Sequence, residues 1–209
     1  MSGLRESWRV LRYGKPVVVV SGVPRSGTSM AMKMLEAGGP ELVIDHERAA
    51  DEDNPKGYYE DERVKELEKS SDRSWVRLAR GKGIKVISRL VRSLPLDSRY
   101  RVILMRRDLG EVLASQRKML ERRGEQDGAA DDRMRELLEK DLWQASWWMK
   151  SHRGNFDWVD LHYHEVLADP ERQARRVAEL VGGLDVRKMA EMVDPELDRN
   201  RAARGSSAR

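Results

Sequence analysis

The stretch that decides the fold is Val17-Val18-Val19-Val20-Ser21-Gly22-Val23-Pro24-Arg25-Ser26-Gly27-Thr28-Ser29. Its valine run lacks the polar alternation of a half-exposed strand and is typical of a parallel strand buried on both faces. Methionine, alanine and leucine then recur at intervals of three and four residues and predict a helix over residues 27–37. Gly38-Gly39-Pro40 ends that helix. A buried strand, a loop with two glycines and a helix, in this order, are typical of a phosphate-binding loop.

Strands and helices alternate along the rest of the chain. Further strands are predicted over residues 83–88, 100–105 and 158–162. Further helices are predicted over residues 58–78, 108–123, 133–152 and 170–181. Alternation with short connections predicts an α/β fold in three layers, α/β/α, with a central and mainly parallel sheet. We expect a single domain over residues 1–201, followed by a small, polar and disordered tail over residues 202–209.

Charge of both signs is spread through the 209 residues. Lysine and arginine total 40, aspartate and glutamate total 36, and the formal net charge is +4. This mixture predicts a solvated surface and no nucleic-acid partner. The sequence has no cysteine, which excludes disulfides, thiolate metal sites and cysteine nucleophiles.

The apolar segments are short. The longest run, at residues 17–20, is far too short to span a bilayer. Residues 1–15 carry several basic side chains but no apolar stretch of signal-peptide length. From these patterns we expect a soluble, cytoplasmic protein without a membrane span.

The loop after the first strand departs from the triphosphate-binding pattern at one position. Gly22 and Gly27 have P-loop spacing and allow backbone amides to approach a phosphate, but Thr28 stands where such loops carry lysine. Positive charge comes instead from Arg25, whose planar guanidinium can hold an oxyanion through two hydrogen bonds. No predicted strand ends directly in an aspartate that would hold magnesium. The loop therefore predicts an oxyanion site that needs no metal.

Residues 20–29 resemble the 5′-phosphosulfate loop of sulfotransferases that use 3′-phosphoadenylyl sulfate (PAPS). That loop reads Pro-Lys/Arg-Ser-Gly-Thr-Thr/Ser, and the similarity is greatest to bacterial sulfotransferase-family and tyrosylprotein-type proteins. The resemblance implies a P-loop nucleoside-triphosphate-hydrolase-like fold, PAPS as donor, adenosine 3′,5′-bisphosphate as product, and no metal. The residues that would bind the donor here are Pro24, Arg25, Ser26, Gly27, Thr28 and Ser29.

A second motif follows the predicted strand over residues 100–105. Arg107 directly precedes a predicted helix, in which Asp108 and Glu111 have capping-box spacing. Ser115 lies about two helical turns further on, within reach of an arginine at the helix start. In sulfotransferases an arginine and a serine at this interval hold the 3′-phosphate of the donor, so the resemblance implies that role for Arg107 and Ser115. Arg106 is the alternative arginine.

Sulfuryl transfer needs positive charge near the transferred group and a base for the acceptor. Lys85 lies on an apolar predicted strand, near the sheet edge where open α/β folds bind ligands, and related enzymes have a catalytic lysine on this strand. For the base, the resemblance points to the segment after the first helix, which offers Asp45, His46 and Glu47. A histidine titrates near neutral pH, whereas a carboxylate matches the tyrosylprotein-type pattern. All three stay open, as does the alternative that they are solvated loop residues.

Other polar and aromatic residues receive structural interpretations. Trp143, Trp147 and Trp148 lie on one predicted helix and are interpreted as core or helix-packing residues rather than as a substrate clamp. His162 and His164 lack a third ligand, so no metal ligands are predicted.

The acceptor is expected to present a hydroxyl or an amine. Its specificity is expected to lie in loops over residues 45–59 and 122–132. Two other functions stay open, a P-loop nucleotide or small-molecule kinase and a domain that binds a nucleotide without chemistry. Thr28, which stands where a kinase loop carries lysine, argues against the kinase. Because no single residue is identified as the base, a domain that binds a nucleotide without chemistry stays an alternative.

Overall fold

The computed structural model describes residues 10–45, 59–124 and 131–194. Its strands are β1 (Val17–Ser21), β2 (Gly83–Lys85), β3 (Tyr100–Arg106) and β4 (Phe156–His162). They form a parallel sheet in the order β2-β1-β3-β4. The valine run therefore lies inside the sheet, paired on one side with β2 and on the other with β3. This confirms the predicted α/β class and the parallel sheet.

Helices cover both faces of this sheet. They are α1 (Thr28–Ala37), α2 (Glu62–Lys65), α3 (Leu109–Arg123), α4 (Asp131–Ser151), α5 (Tyr163–Ala168), α6 (Pro170–Val181) and α7 (Val186–Glu191), with 3-10 helices at Ser74–Ala79 and Ser88–Ser93. Val17 and Val19 pack into one core with α4 and the 3-10 helices. Val18 and Val20 pack into a second core with α1, α5, α6 and α7. The valines do not alternate with polar residues because both sets of side chains are buried.

The prediction of a helix over residues 58–78 is wrong. Within the described part of this segment only α2 is α-helical, and turns lead from it to the 3-10 helix at Ser74–Ala79. The hydroxyl of Ser70 donates to the Asp72 carbonyl at 2.8 Å, and the Asp72 carboxylate accepts the Ser74 N–H at 2.8 Å. Such local side-chain bonds compete with helical hydrogen bonds and favour turns.

Two strand boundaries differ from the prediction. β2 ends at Lys85 rather than at residue 88, although Val86 N–H donates to the Val20 carbonyl at 2.9 Å and Ser88 N–H to the Gly22 carbonyl at 3.0 Å. The chain after β2 therefore continues beside β1 and the loop that follows it. β4 begins at Phe156, earlier than predicted.

The interpretation of two tryptophans as core residues is wrong. Trp143 and Trp147 are 64% and 53% exposed, and their rings stack with centroids 6.3 Å apart. The buried residues of α4 are Leu138, Ala145 and Met149, which lie on a different stripe of the helix. Trp148 does pack against the core on that side of the sheet.

Some expectations concern residues outside the described ranges. These are the absence of a signal peptide in residues 1–9, part of each proposed specificity loop, and the tail over residues 202–209. Among the described residues, no helix combines the length and the apolar character needed to cross a membrane.

Candidate active site

The loop between β1 and α1 has a backbone shape that few residue types adopt. Arg25 and Gly27 have φ angles of 67° and 97°, in the left-handed region. Glycine adopts this region without strain, whereas an arginine there is held by its surroundings. The loop leads directly into the N-terminus of α1, where backbone N–H groups and the helix dipole favour an anion.

Close packing explains why the two glycines are needed. A Cβ atom on Gly22 would lie 2.5 Å from Ser26 Oγ and 3.0 Å from the Met105 carbonyl oxygen. A Cβ atom on Gly27 would lie 2.6 Å from Cδ2 of Tyr163. Buried Ser26 donates its hydroxyl to the Val23 carbonyl at 2.7 Å, so its side chain shapes the loop from inside. The loop is thereby fixed against β3 and α5.

The structure brings Arg25 and Ser115 together. Arg25 Nε donates to Ser115 Oγ at 3.0 Å, although the two residues belong to different strand–helix units. Ser115 is buried on α3. Arg107 Nη1 donates to the Arg25 backbone carbonyl at 3.2 Å. Three residues predicted from two separate motifs therefore form one cluster at the carboxyl edge of β1 and β3.

Arg107 is held on several sides. Its Nε atom donates to Glu111 Oε2 at 3.1 Å, and its guanidinium carbon lies 4.1 Å from the centroid of the Tyr163 ring. The side chain is only 6% exposed. In the part of the chain that the structure describes, its Nη2 atom is buried and has no hydrogen-bond partner. An unsatisfied buried donor costs about 1–3 kcal/mol, and a bound oxyanion would remove that cost.

Arg106, the alternative arginine, serves a different region. Its Nε donates to Asp160 Oδ1 at 2.7 Å, and its Nη2 donates to Ser146 Oγ at 2.9 Å. These bonds join β3 to β4 and α4, away from the loop. With its guanidinium bonded to Asp160 and Ser146, Arg106 is not part of the cluster of Arg25, Arg107 and Ser115.

Glu111 and His164 extend this cluster, and the sequence did not indicate their role. Asp108 caps α3 by accepting the Glu111 backbone N–H at 3.1 Å, which is one half of the predicted capping box. The Glu111 carboxylate contacts Arg107. His164 Nε2 lies 3.0 Å from Oε1 and 2.9 Å from Oε2 of the same carboxylate. The spacing of Arg107 and Glu111, one helical turn, is the signal that would have linked them.

Lys85 lies at the end of β2 and pairs with Glu60. Its Nζ atom lies 3.1 Å from Glu60 Oε1, and the two side chains are 9% and 22% exposed. Glu60 belongs to a segment that adjoins Asp45, because Asp45 N–H donates to the Glu60 carbonyl at 3.2 Å. The Asp45 carboxylate accepts the Glu62 N–H at 2.5 Å. His46 and Glu47, the other predicted bases, lie outside the described residues.

Tyr59 fixes the start of the same segment. Its hydroxyl donates to Glu36 Oε2 on α1 at 2.9 Å, and its φ angle is 53°. Burial, followed by the hydrogen bond to Glu36, raises the pKa of Tyr59 to about 12. The tyrosine therefore stays a hydrogen-bond donor at neutral pH and ties the segment that carries Glu60 to α1.

Within residues 10–45, 59–124 and 131–194, no group of three or more histidine, aspartate or glutamate side chains is arranged to hold an ion.

One family model matches most of the chain. The family model described as "Sulfotransferase domain" matches residues 15–199, a range that includes the loop, Lys85, Arg107 and Ser115. Among solved structures, the sulfotransferase domain from the curacin biosynthetic pathway aligns with 86% of this chain and 78% of its own, with 11% identity and a TM-score of 0.47. No curated protein matches the chain significantly.

Proposed function

Because this chain belongs to the sulfotransferase domain family, we propose that it transfers a sulfuryl group from PAPS to a hydroxyl or an amine of its acceptor. The product nucleotide is then adenosine 3′,5′-bisphosphate. The proposed site lies at the carboxyl edge of β1 and β3, where open α/β folds bind their ligands.

One observation carries the choice of donor. Arg107 has a buried Nη2 atom without a partner among the described residues, beside an Arg25 that bonds to Ser115. Two guanidinium groups and a buried hydroxyl suit a phosphate group, because planar N–H forks match its oxygens. In the proposal, Arg107 and Ser115 bind the 3′-phosphate of the donor.

The loop over residues 24–29 takes the other end of the donor. Its backbone N–H groups, with the side chains of Thr28 and Ser29, would bind the 5′-phosphosulfate at the start of α1. Arg25 belongs to this loop and bonds to Ser115, and it would offset the negative charge that develops on the departing phosphate oxygen. Lys85 would offset charge on the transferred group. No metal is required in this scheme.

The reaction is an in-line displacement at sulfur. The acceptor oxygen or nitrogen forms a bond to sulfur while the bond from sulfur to the nucleotide phosphate breaks. The chain binds and orients both partners, stabilises the departing phosphate, and must remove one proton from the acceptor.

The test is a binding comparison followed by turnover. Calorimetry should show that adenosine 3′,5′-bisphosphate binds at least tenfold more tightly than adenosine 5′-phosphate or adenosine 2′,5′-bisphosphate. Arg107→Met should abolish that preference. Transfer of the sulfuryl group from sulfur-labelled PAPS to an alcohol, a phenol or an amine in a panel of acceptors should then be measurable.

Two results would favour the alternatives. A magnesium-dependent thermal shift with ATP, and none with adenosine 3′,5′-bisphosphate, would favour a kinase. Tight bisphosphate binding without transfer to any acceptor or to water would favour a non-catalytic nucleotide-binding domain.

A further inference from the structure

A buried ion pair lies beside the proposed site. Lys85 and Glu60 are separated by 3.1 Å between Nζ and Oε1, with the lysine almost covered and the glutamate partly open. Burying two charges costs more in lost hydration than most such pairs recover, so a pair of this kind contributes little to stability. Buried charged groups at a ligand-binding edge are candidates for chemistry.

The sheet register places this pair next to the loop between β1 and α1. Lys85 pairs with Val20, which lies two positions before Gly22. Adjacent strands are about 4.8 Å apart, and the chain after Lys85 follows the loop as far as the bond between Ser88 N–H and the Gly22 carbonyl. The ammonium of Lys85 and the carboxylate of Glu60 thus lie on the flank of the loop that would hold the phosphosulfate.

The carboxylates on this flank have different partners. Asp45 accepts a backbone N–H from Glu62 at 2.5 Å, which fixes the segment that carries Glu60. Tyr59 fixes the same segment to α1 through Glu36. Glu60 itself is oriented by an ammonium and retains an exposed fraction of 22% through which an acceptor can reach it. A base held by neighbouring contacts in this way is positioned before the substrate arrives.

We propose that Glu60, oriented by Lys85, is the base that removes the proton from the acceptor, an inference that rests on the proposed function. As the acceptor oxygen bonds to sulfur, its proton moves to the Glu60 carboxylate. The electron pair of the breaking sulfur–oxygen bond leaves on the nucleotide phosphate. Charge and atoms balance without an oxidant or a metal, and the protonated Glu60 later returns its proton to water.

The test compares acceptors of different acidity. At about pH 8, 4-nitrophenol is largely ionised and needs no base, whereas phenol and water keep their protons. Glu60→Gln should slow sulfuryl transfer to phenol and to water roughly a hundredfold. Transfer to 4-nitrophenol should fall less than tenfold, and the Kd for adenosine 3′,5′-bisphosphate should stay within twofold of the wild-type value. Release of labelled sulfate to water gives a rate even when the phenols are poor acceptors.

Two variants separate chemistry from folding. Glu60→Gln leaves the Lys85 charge buried and can lower the melting temperature. The double variant Lys85→Met/Glu60→Gln removes both charges and should recover stability, which would trace any loss in Glu60→Gln to the unpaired lysine. Because Lys85 is itself proposed to act on the transferred group, transfer rates are compared only among chains that keep Lys85, such as the wild type, Glu60→Gln and Glu60→Asp. Glu60→Asp should recover part of the rate with phenol, since it keeps a carboxylate on a shorter side chain.

The opposing outcomes are distinct. The role of Glu60 would be overturned, and the proposed function left standing, if Glu60→Gln slowed transfer equally with all acceptors or not at all. The same holds if His46→Ala or Glu47→Gln, rather than Glu60→Gln, showed the loss that depends on acceptor acidity. A wild-type chain that neither binds the bisphosphate nor releases sulfate would overturn the proposed function as well.

Discussion

Arg25 Nε donates a hydrogen bond to Ser115 Oγ at 3.0 Å and so joins the loop between β1 and α1 to the helix that follows β3. The bond links two motifs that are far apart in the sequence. It also holds the arginine side chain in place before any ligand binds. Donor binding should therefore depend on Ser115, although the serine carries no charge.

Ser115→Ala should weaken binding of adenosine 3′,5′-bisphosphate by roughly tenfold or more, because a hydrogen bond to a charged group contributes about 1.5–3 kcal/mol. Titration calorimetry measures the change. Ser146→Ala is the matched control, since Ser146 accepts from Arg106 outside the cluster and its loss should leave the affinity unchanged. Similar weakening in both variants would contradict the assignment of Ser115.

Arg107→Lys should weaken bisphosphate binding about thirtyfold, although the positive charge is kept. A lysine cannot reproduce the bonds to the Arg25 carbonyl and Glu111 together with the stacking on Tyr163. Calorimetry again gives the affinity. The double variant Arg107→Met/Glu111→Gln removes both buried charges, and we expect it to recover stability without recovering binding. An affinity of Arg107→Lys equal to that of the wild type would argue against a planar contact with phosphate.

Gly27→Ala should lower the free energy of unfolding by about 2 kcal/mol or more. The residue has a φ of 97°, and the new Cβ would lie 2.6 Å from the Tyr163 ring. Urea unfolding followed by circular dichroism measures the loss. Gly154→Ala is the control, because a Cβ there meets nothing within 4 Å. Equal stability of the two variants would show that the loop does not require glycine.

Alkaline pH should destabilise the fold through Tyr100. Burial raises the pKa of its hydroxyl above the usual value of 10, and the hydroxyl donates to the Pro95 carbonyl at 2.7 Å. The unfolded chain therefore loses this proton first as the pH rises. The contribution is complete below about pH 10 and falls above it.

Urea unfolding at about pH 8 and pH 11 tests this dependence. Tyr100→Phe should be about 1 kcal/mol less stable at the lower pH, where the hydrogen bond is lost, but should lose less stability between the two. Tyr59, whose pKa is also raised, adds loss in the same direction in both proteins. A parallel decline in wild type and variant would contradict the role of Tyr100.

Local sequence patterns predicted the parts of the fold that neighbouring residues determine. Three features could be predicted: the buried strand from its valine run, the loop from its glycines, and the N-cap of α3 from Asp108. Strand burial, loop geometry and helix capping each depend on a few adjacent residues. The segment after Lys65 was predicted wrongly because the local bonds of Asp72 outweigh its helical composition.

The site was predictable only in part, for the same reason. Arg25 was proposed from the residues of the loop, and Arg107 and Ser115 from the family resemblance; the structure places the three in contact. The pairing of Glu60 with Lys85 was not predicted, since the pair forms only when the segment after α1 folds across the end of β2. Tyr163 and His164 reach Arg107 and Glu111 only because β4 lies next to β3.

The position of β1 inside the sheet also has a consequence for how the chain folds. Val20 pairs with Lys85 on one side and with Ile103 on the other, so each pairing requires closure of a long loop. Parallel sheets built from such distant contacts fold slowly, because the entropy of loop closure is lost before the contacts form. Helical circular dichroism should therefore recover early during refolding. The ability to bind the nucleotide should recover only in the last and slowest phase.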